Sequence, residues 1–455
     1  MNNVTYPHIK FINFSDLFRW DVKRFCVQTL DIRGKFVFLK DILHEYKNIL
    51  PKEEIKNKKI NIIQKINFAG KLFLRPLEDI ETFKGPLYEI PPSSIIYSKI
   101  NVRHGCTYYN STKNTIVGTS EYPVFTFNAQ MIDGEYLQMV LRTNIIKDCL
   151  GAKTTGFSKT RVHVSEFLNT KIPFPSIEIQ KEFVKKYNDK IKLAEEQEQK
   201  AKDIESNIEQ YLFKELGINI EINNQKNGNE NILSFIDLKT LSRWGVEYLM
   251  NKKSDTSLLK SNTIQMKKLE DIVDIDPKNN FASLDKKMEM SFIPMHCISD
   301  EYGEIIKLED GINEKSKGYT RFQDGDLIWA KITPCMQNGK SAILKGLKNG
   351  YGYGSTEFYV IRNSNPKVCI DYIYHILRTN LVRKNAITYF TGSSGQQRVP
   401  KSYLQNLEIP LPDKNKQVSI SNEIYKMKDQ IKRLKQQAEQ NRISAQEEFE
   451  KELFE

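Results

Sequence analysis

The sequence predicts an α+β protein built twice, as two repeated mixed α/β domains separated by two long helices. Three observations predict this. First, KIPFPSIEIQKEF (171–183) returns as EIPLPDKNKQVSI (408–420), aligning Pro173 with Pro410, Pro175 with Pro412 and Gln180 with Gln417. Second, five further pairs follow in the same order: LFRWDVKRF (17–25) with LSRWGVEYL (241–249), SSIIYSKI (93–100) with GDLIWAKI (325–332), GTSEYPVF (118–125) with GSTEFYVI (354–361), YLQMVLRTN (136–144) with YIYHILRTN (372–380), and FKEL (213–216) with EKEL (450–453). Third, each copy is followed by a polar stretch whose apolar residues form only a narrow helical stripe.

Taken in chain order, residues 1–175 form the first globular unit. Its β-branched and aromatic runs SSIIYSKI and YPVFTFN read as strands, and YLQMVLRTNIIKDCL has helical spacing. Residues 176–216 follow as a long helix with a stripe of Tyr187, Ile191, Ala194, Ala201, Ile204 and Ile208. The Asn- and Gly-rich segment 217–231 reads as a linker. A second unit covers 232–412, with strands in DLIWAKI and EFYVIRN and helical spacing in YIYHILRTNLVRKNA. The second long helix covers 413–455, where Ile424, Met427, Ile431, Leu434, Ala438, Asn441 and Ala445 alternate steps of three and four. So narrow a stripe suits one partner helix, and the natural partner is the other copy. The pattern leaves their relative direction open. Asn441 puts a polar residue in the seam, which lowers stability and can fix register.

At 455 residues, 39% hydrophobic and 11% aromatic, the chain has material for more than one core. It has no run of eighteen apolar residues, and its start lacks the pattern of a signal peptide, so a cytoplasmic protein away from membranes is expected. Six cysteines without a CxxC pair suit a reducing compartment. The His/Cys pairs are His104 with Cys106 and His296 beside Cys297, and two ligands do not make a site, so no metal is expected. A net charge of +11 points mildly toward a polyanion, although Lys, Ile and Asn are abundant throughout.

Catalytic machinery is not legible, and no catalytic residue is expected. ITPCMQNGKS (332–341) ends like a phosphate-binding loop, but Pro334 stands where the first glycine is needed. GYGYGS (350–355) lies before a strand rather than between a strand and a helix. PDKNK (412–416) lacks a second acidic cluster, and Ser393-Ser394 have no base nearby in sequence. The acidic runs on the long helices are most simply solvated faces.

Binding chemistry remains. The second unit offers Lys331, Thr333, Gln337, Asn338 and Lys340 in one loop, and Gln396, Gln397 and Arg398 in another. The first offers Lys99, Arg103, Lys159 and Arg161 in corresponding places. Gln and Asn grip adenine bidentately, Arg and Lys grip guanine, and Ser and glycine amides take phosphate. Ordinary exposed polar loops have the same composition.

The paired P-x-P-x-x-x-x-Q helix entrances, RWDVKRF with RWGVEYL, and GSTEFYVIR followed by GSSGQQRVPKSYLQNLEIPLP together resemble the specificity subunit of type I restriction–modification systems. The resemblance spans essentially the whole chain and is looser in the first unit. It implies two target recognition domains, each reading half of a bipartite site in double-stranded DNA. It also implies an antiparallel coiled coil between them and no activity in this chain. Its partners would be two copies of a methyltransferase subunit that carries S-adenosylmethionine and, optionally, ATP-driven restriction subunits. The chain itself would hold no cofactor. The alternative is a two-headed coiled-coil scaffold that does not bind DNA; a third reading is an enzyme with an unfamiliar site. Salt-sensitive binding to duplex DNA separates the first reading from the others.

Overall fold

The computed structural model describes residues 35–153, 160–218, 258–278, 281–393 and 395–454. The Arg-Trp pairs at 19–20 and 243–244, Cys26 and most of the linker lie outside the described residues. The chain divides into two compact units, Met1–Gln197 with Gln436–Glu455, and Glu198–Lys435. Each unit therefore takes in a segment of both long helices, Ile177–Glu215 and Lys414–Phe454.

In the first unit a four-stranded antiparallel sheet runs in the order Leu43–Tyr46, Val124–Phe127, Ile95–Tyr97, Thr107–Tyr109. In the second unit the corresponding order is Asp274–Ile275, Phe358–Arg362, Leu327–Ala330, Ser341–Ile343, again antiparallel. Each unit also joins its opening strand to the one leading into its long helix: Phe36–Phe38 with Lys171–Pro173, and Met266–Lys268 with Glu408–Pro410. The units differ in their remaining sheet, five strands in the first and four in the second. The GYGYG run, expected just ahead of a strand, is itself the strand Tyr351–Gly354. A Cβ on Gly354 would stand 2.1 Å from the Ile293 carbonyl oxygen, so the close approach of the neighbouring strand requires glycine there.

The repeated P-x-P-x-x-x-x-Q motif is a staple. Gln180 and Gln417 are fully buried. The Gln180 amide accepts from the Asp133 N–H (2.9 Å) and donates to the carbonyls of Met131 (3.2 Å) and Pro175 (2.9 Å). Gln417 repeats this with the Cys369 N–H (2.8 Å) and the carbonyls of Lys367 (3.1 Å) and Pro412 (2.8 Å). Beside it the hydroxyls of Tyr136 and Tyr372 donate to the carbonyls of Pro173 and Pro410. Each long helix is thus locked at its start to the loop preceding another helix.

The shared LRTN tetrad is structural too. Its helical spacing runs through a break: each apparent helix is two, Gly134–Leu141 then Asn144–Ala152, and Ile370–Leu377 then Asn380–Thr388. Thr143 and Thr379 are extended N-caps whose hydroxyls accept from Ile146 N and Val382 N. Such a cap contributes about 1 kcal/mol. Leu141 and Leu377 enter the cores. The backbone N–H of Asn144 donates to Glu450, and those of Asn380 and Leu381 to Glu209, so a carboxylate from a long helix sits at each positive helix end.

Within each unit the long-helix segments run antiparallel. In the first, Lys186 pairs with Glu452 (3.3 Å) and Lys190 with Glu448 (2.5 Å). In the second, Glu205 pairs with Lys435 (3.7 Å) and Glu215 with Lys416. Such exposed pairs contribute little energy; burial contributes more. Ala194, Ala201, Ile424, Ile431, Ala438 and Ala445 are buried, whereas Ile191, Ile204, Ile208, Met427, Leu434 and Asn441 are half-buried. The Asn441 side chain donates to Gln197 Oε1 (2.8 Å), a polar bridge across the seam. Toward their C-terminal ends the helices turn their stripe on the globular cores: Phe449 and Leu453 join the first, Leu212, Phe213 and Leu216 the second.

Candidate nucleic-acid interface

The strand Leu327–Ala330 delivers Lys331 to the start of the loop that ends at Lys340. The Lys331 N–H donates to the Glu357 carbonyl (2.9 Å), and its own carbonyl accepts from Val399 N–H (2.9 Å). Thr333 N–H donates to the Gln397 carbonyl (3.0 Å), while Thr391 and Arg398 exchange backbone bonds of 2.9 and 2.8 Å. These bonds stitch the loops 331–340 and 391–399 edge to edge, so Lys331 and Thr333 share one surface with Gln397 and Val399, far along the chain.

A rigid frame stands under that surface. Arg398 grips Glu357 with two bonds, Nε to Oε2 (2.8 Å) and Nη2 to Oε1 (2.7 Å), and its Nη1 donates to the Gln396 carbonyl (2.8 Å). The guanidinium holds the Glu357 carboxyl below the usual carboxylate range. Tyr359 donates to the Val399 carbonyl (2.8 Å), and burial pushes its phenol up to about 12. The Lys331 ammonium lies 4.9 Å from the centre of the Tyr359 ring.

The other predicted residues divide by what they touch. The Thr333 hydroxyl donates to the Gln337 side chain, whose backbone carbonyl accepts from Arg383 (2.7 Å). Lys340 turns to the backbone and donates to the carbonyls of Met295 (3.2 Å) and Ile298 (2.8 Å), which engages two of its three donors. Asn338 and Gln396 are exposed, and Gln397 is half-buried.

The first unit repeats the frame. Lys99 N–H donates to the Glu121 carbonyl (3.1 Å), and the Lys99 carbonyl accepts from Val162 N–H (2.8 Å). The Glu121 carboxylate accepts from Ser98 Oγ (3.0 Å) and Ile100 N–H (2.8 Å). The Lys99 ammonium donates to the Ser120 carbonyl (2.7 Å), and Arg103 Nε donates to His104 (3.2 Å). Arg161 is exposed next to Val162, while Lys159 lies outside the described residues. Sequence reasoning aligned Glu121 with Glu357 without giving either a role. Their identity at matching points of the repeat was the available signal.

Residues 262–443 match the family described as the type I restriction modification DNA specificity domain. The type I restriction enzyme EcoEI specificity subunit of Escherichia coli is 38% identical over 175 residues, 37% of this chain and 28% of that protein. The EcoAI specificity subunit of the same organism is 40% identical over 154 residues, 33% of this chain and 25% of that protein. The matches to these relatives thus span about a quarter of their length. A chain from a solved type I R-M system shares the fold with a TM-score of 0.54 at 15% identity, over 92% of this chain and 96% of that one.

Proposed function

We propose that this chain, which belongs to the specificity-subunit family of type I restriction–modification systems, is the non-catalytic subunit that reads a bipartite site in double-stranded DNA. The observation that carries this reading is the stitched pair of loops held on the Glu357–Arg398–Tyr359 frame, with a related frame around Lys99 in the first unit. Rigid backbone under exposed amides and cations is what base readout needs, because a bidentate contact tolerates little misplacement. Asn338, Gln396 and Gln397 are the candidates for base edges. Lys331, Lys99, Arg103, Lys159 and Arg161 are candidates for phosphate or guanine. Thr333, Gln337, Lys340 and Arg398 hold the loops in shape and contribute to the surface from there. The bound chain directs two methyltransferase subunits to the site. S-adenosylmethionine belongs to those subunits, and so does the chemistry; ATP-driven restriction subunits join where the system has them. Among the described residues no helix is long and apolar enough to cross a membrane.

Binding of fluorescent duplex DNA over a range of salt concentrations tests the reading. Affinity should fall steeply with salt, because each neutralised phosphate releases counterion. Lys331→Ala should weaken binding to all sequences and, if Lys331 meets a phosphate, flatten the salt slope by about one. Alanine at Asn338, Gln396 or Gln397 should cost about 1–3 kcal/mol on the cognate site and relax one position. Salt-independent binding, or no binding to any duplex with the methyltransferase subunits present, would favour the scaffold instead.

A further inference from the structure

His296 and Cys297 are neighbours in sequence, and the fold adds a third group to them. The short helical turn Met295–Cys297 lies beside the strand Glu309–Ile312, which pairs with Glu289–Ile293 in the register Phe292 to Glu309. His296 Nε2 lies 3.2 Å from Glu309 Oε1, and Cys297 Sγ lies 3.6 Å from the same oxygen. All three ligand atoms fall within 4.8 Å of one another. In a tetrahedral zinc site, with bonds of about 2.0–2.2 Å to nitrogen and oxygen and about 2.3 Å to sulfur, adjacent ligands stand roughly 3.3 Å (N to O) and roughly 3.6 Å (S to O) apart. The two separations from Glu309 Oε1 match those edges, and the His296–Cys297 edge, within 4.8 Å, would close toward roughly 3.6 Å around a bound ion.

We propose that His296, Cys297 and Glu309 form a site for a zinc-like divalent cation, with water in the fourth position. One imidazole, one thiolate and one carboxylate are the mixed ligand set that a borderline cation accepts. Two features hold the site in shape before any ion arrives. The Cys297 carbonyl accepts from Ile306 N–H (2.8 Å) and Ser299 N–H donates to the Glu304 carbonyl (2.9 Å), which closes the intervening hairpin. Lys340 clamps the turn through the carbonyls of Met295 and Ile298. The thiol is buried while the His296 ring is largely exposed, so an ion enters from the imidazole side. Cysteine binds a metal ion as the thiolate, so the Cys297 thiol gives up its proton on binding. Binding therefore forms the metal–sulfur bond and releases that proton to solvent, leaving the dication balanced by one thiolate and one carboxylate. Because Lys340 also closes the 331–340 loop, the ion would brace that loop from below.

The full-length chain, freed of metal with a chelator, is titrated with Co²⁺ as a spectroscopic substitute for Zn²⁺. The expected result is one equivalent bound with a thiolate-to-cobalt band in the near ultraviolet and tetrahedral d–d absorption, both removed by added Zn²⁺. Calorimetry in buffers of different ionisation enthalpy should show about one proton released near pH 7. Cys297→Ser should abolish the near-ultraviolet band. His296→Ala, at an exposed position, and Glu309→Gln should each weaken affinity by at least about tenfold. Absence of the band in the unmodified chain overturns the proposal, as does its full retention in folded Cys297→Ser. If Cys297→Ser does not fold, the other two variants decide, and unchanged affinity in both overturns it.

Discussion

Gln417→Ala is expected to destabilise the second unit by on the order of 3 kcal/mol, with Gln180→Ala doing the same to the first. Each glutamine is fully buried and makes three hydrogen bonds, so alanine leaves one backbone N–H and two carbonyls facing a void. A buried polar group without a partner costs about 1–3 kcal/mol, and the cavity adds to that. Glutamate in either place should be worse, because a carboxylate would face two carbonyl oxygens. Hydrogen exchange of the full chain measures the effect unit by unit. Protection should fall around Lys367–Cys369 and Pro412 in Gln417→Ala, and around Met131–Asp133 and Pro175 in Gln180→Ala. The two substitutions share no partner and should add. A loss below about 0.5 kcal/mol in both would mean that water replaces the amide at no cost, and the staple account would fail.

Lys428→Met is expected to stabilise the second unit near pH 7. Lys428 lies on the second long helix beside the seam, one turn from the buried Ile424, and its ammonium donates to the Tyr374 hydroxyl (3.0 Å). Burial first, then Arg378 and Lys432, push the amine down to about 7 against the pull of Glu304. His375, buried nearby, is held well below its ordinary value by burial, then by Lys428 and Arg378. The sign follows from linkage. Between pH 7 and 10.5 the unfolded chain carries a proton at Lys428 that the folded chain lacks, so stability rises with pH across that window. Below pH 7 both forms are charged at Lys428 and its penalty is complete; protonation of His375 in the unfolded chain then adds a further loss as pH falls through its ordinary range. Methionine removes the charge and keeps the stem, for a gain of at most on the order of 4 kcal/mol at pH 7 that vanishes toward pH 10.5. The Tyr374 hydroxyl keeps its bond to the Gly303 carbonyl (2.8 Å), so no orphan is created. Denaturation midpoints across this range should converge for the two proteins; parallel curves would contradict the burial account.

The doubling was legible because the residues that carry it act locally. Pro173, Gln180 and Thr143 sit at chain positions where a helix starts or a strand ends, and their partners lie in the same unit. The LRTN break was not legible, since apolar spacing continues through Arg142-Thr143 while the backbone turns there. The heptad pattern picked out residues such as Ile431 and Ala438, now seen buried, but not Phe449 or Leu453, which pack on a globular core rather than on the other helix. Lys428 is one lysine among many in a polar helix, and only the packing of Tyr374 and Tyr425 distinguishes it. In the candidate interface the loops were readable as polar segments. Their edge-to-edge pairing, the inward turn of Lys340 and the Arg398–Glu357 bond depend on contacts across many residues, as does the arrival of Glu309 beside Cys297.

A single-base methylation map of a host expressing this chain with its methyltransferase partner tests the central claim most directly. The account predicts a two-part methylated motif. It also predicts that changing Asn338, Gln396 and Gln397 together to alanine relaxes positions in one half of the motif, leaving the other half and the spacer as they were. Relaxation in both halves, or an unaltered motif from a protein that still folds, would contradict it.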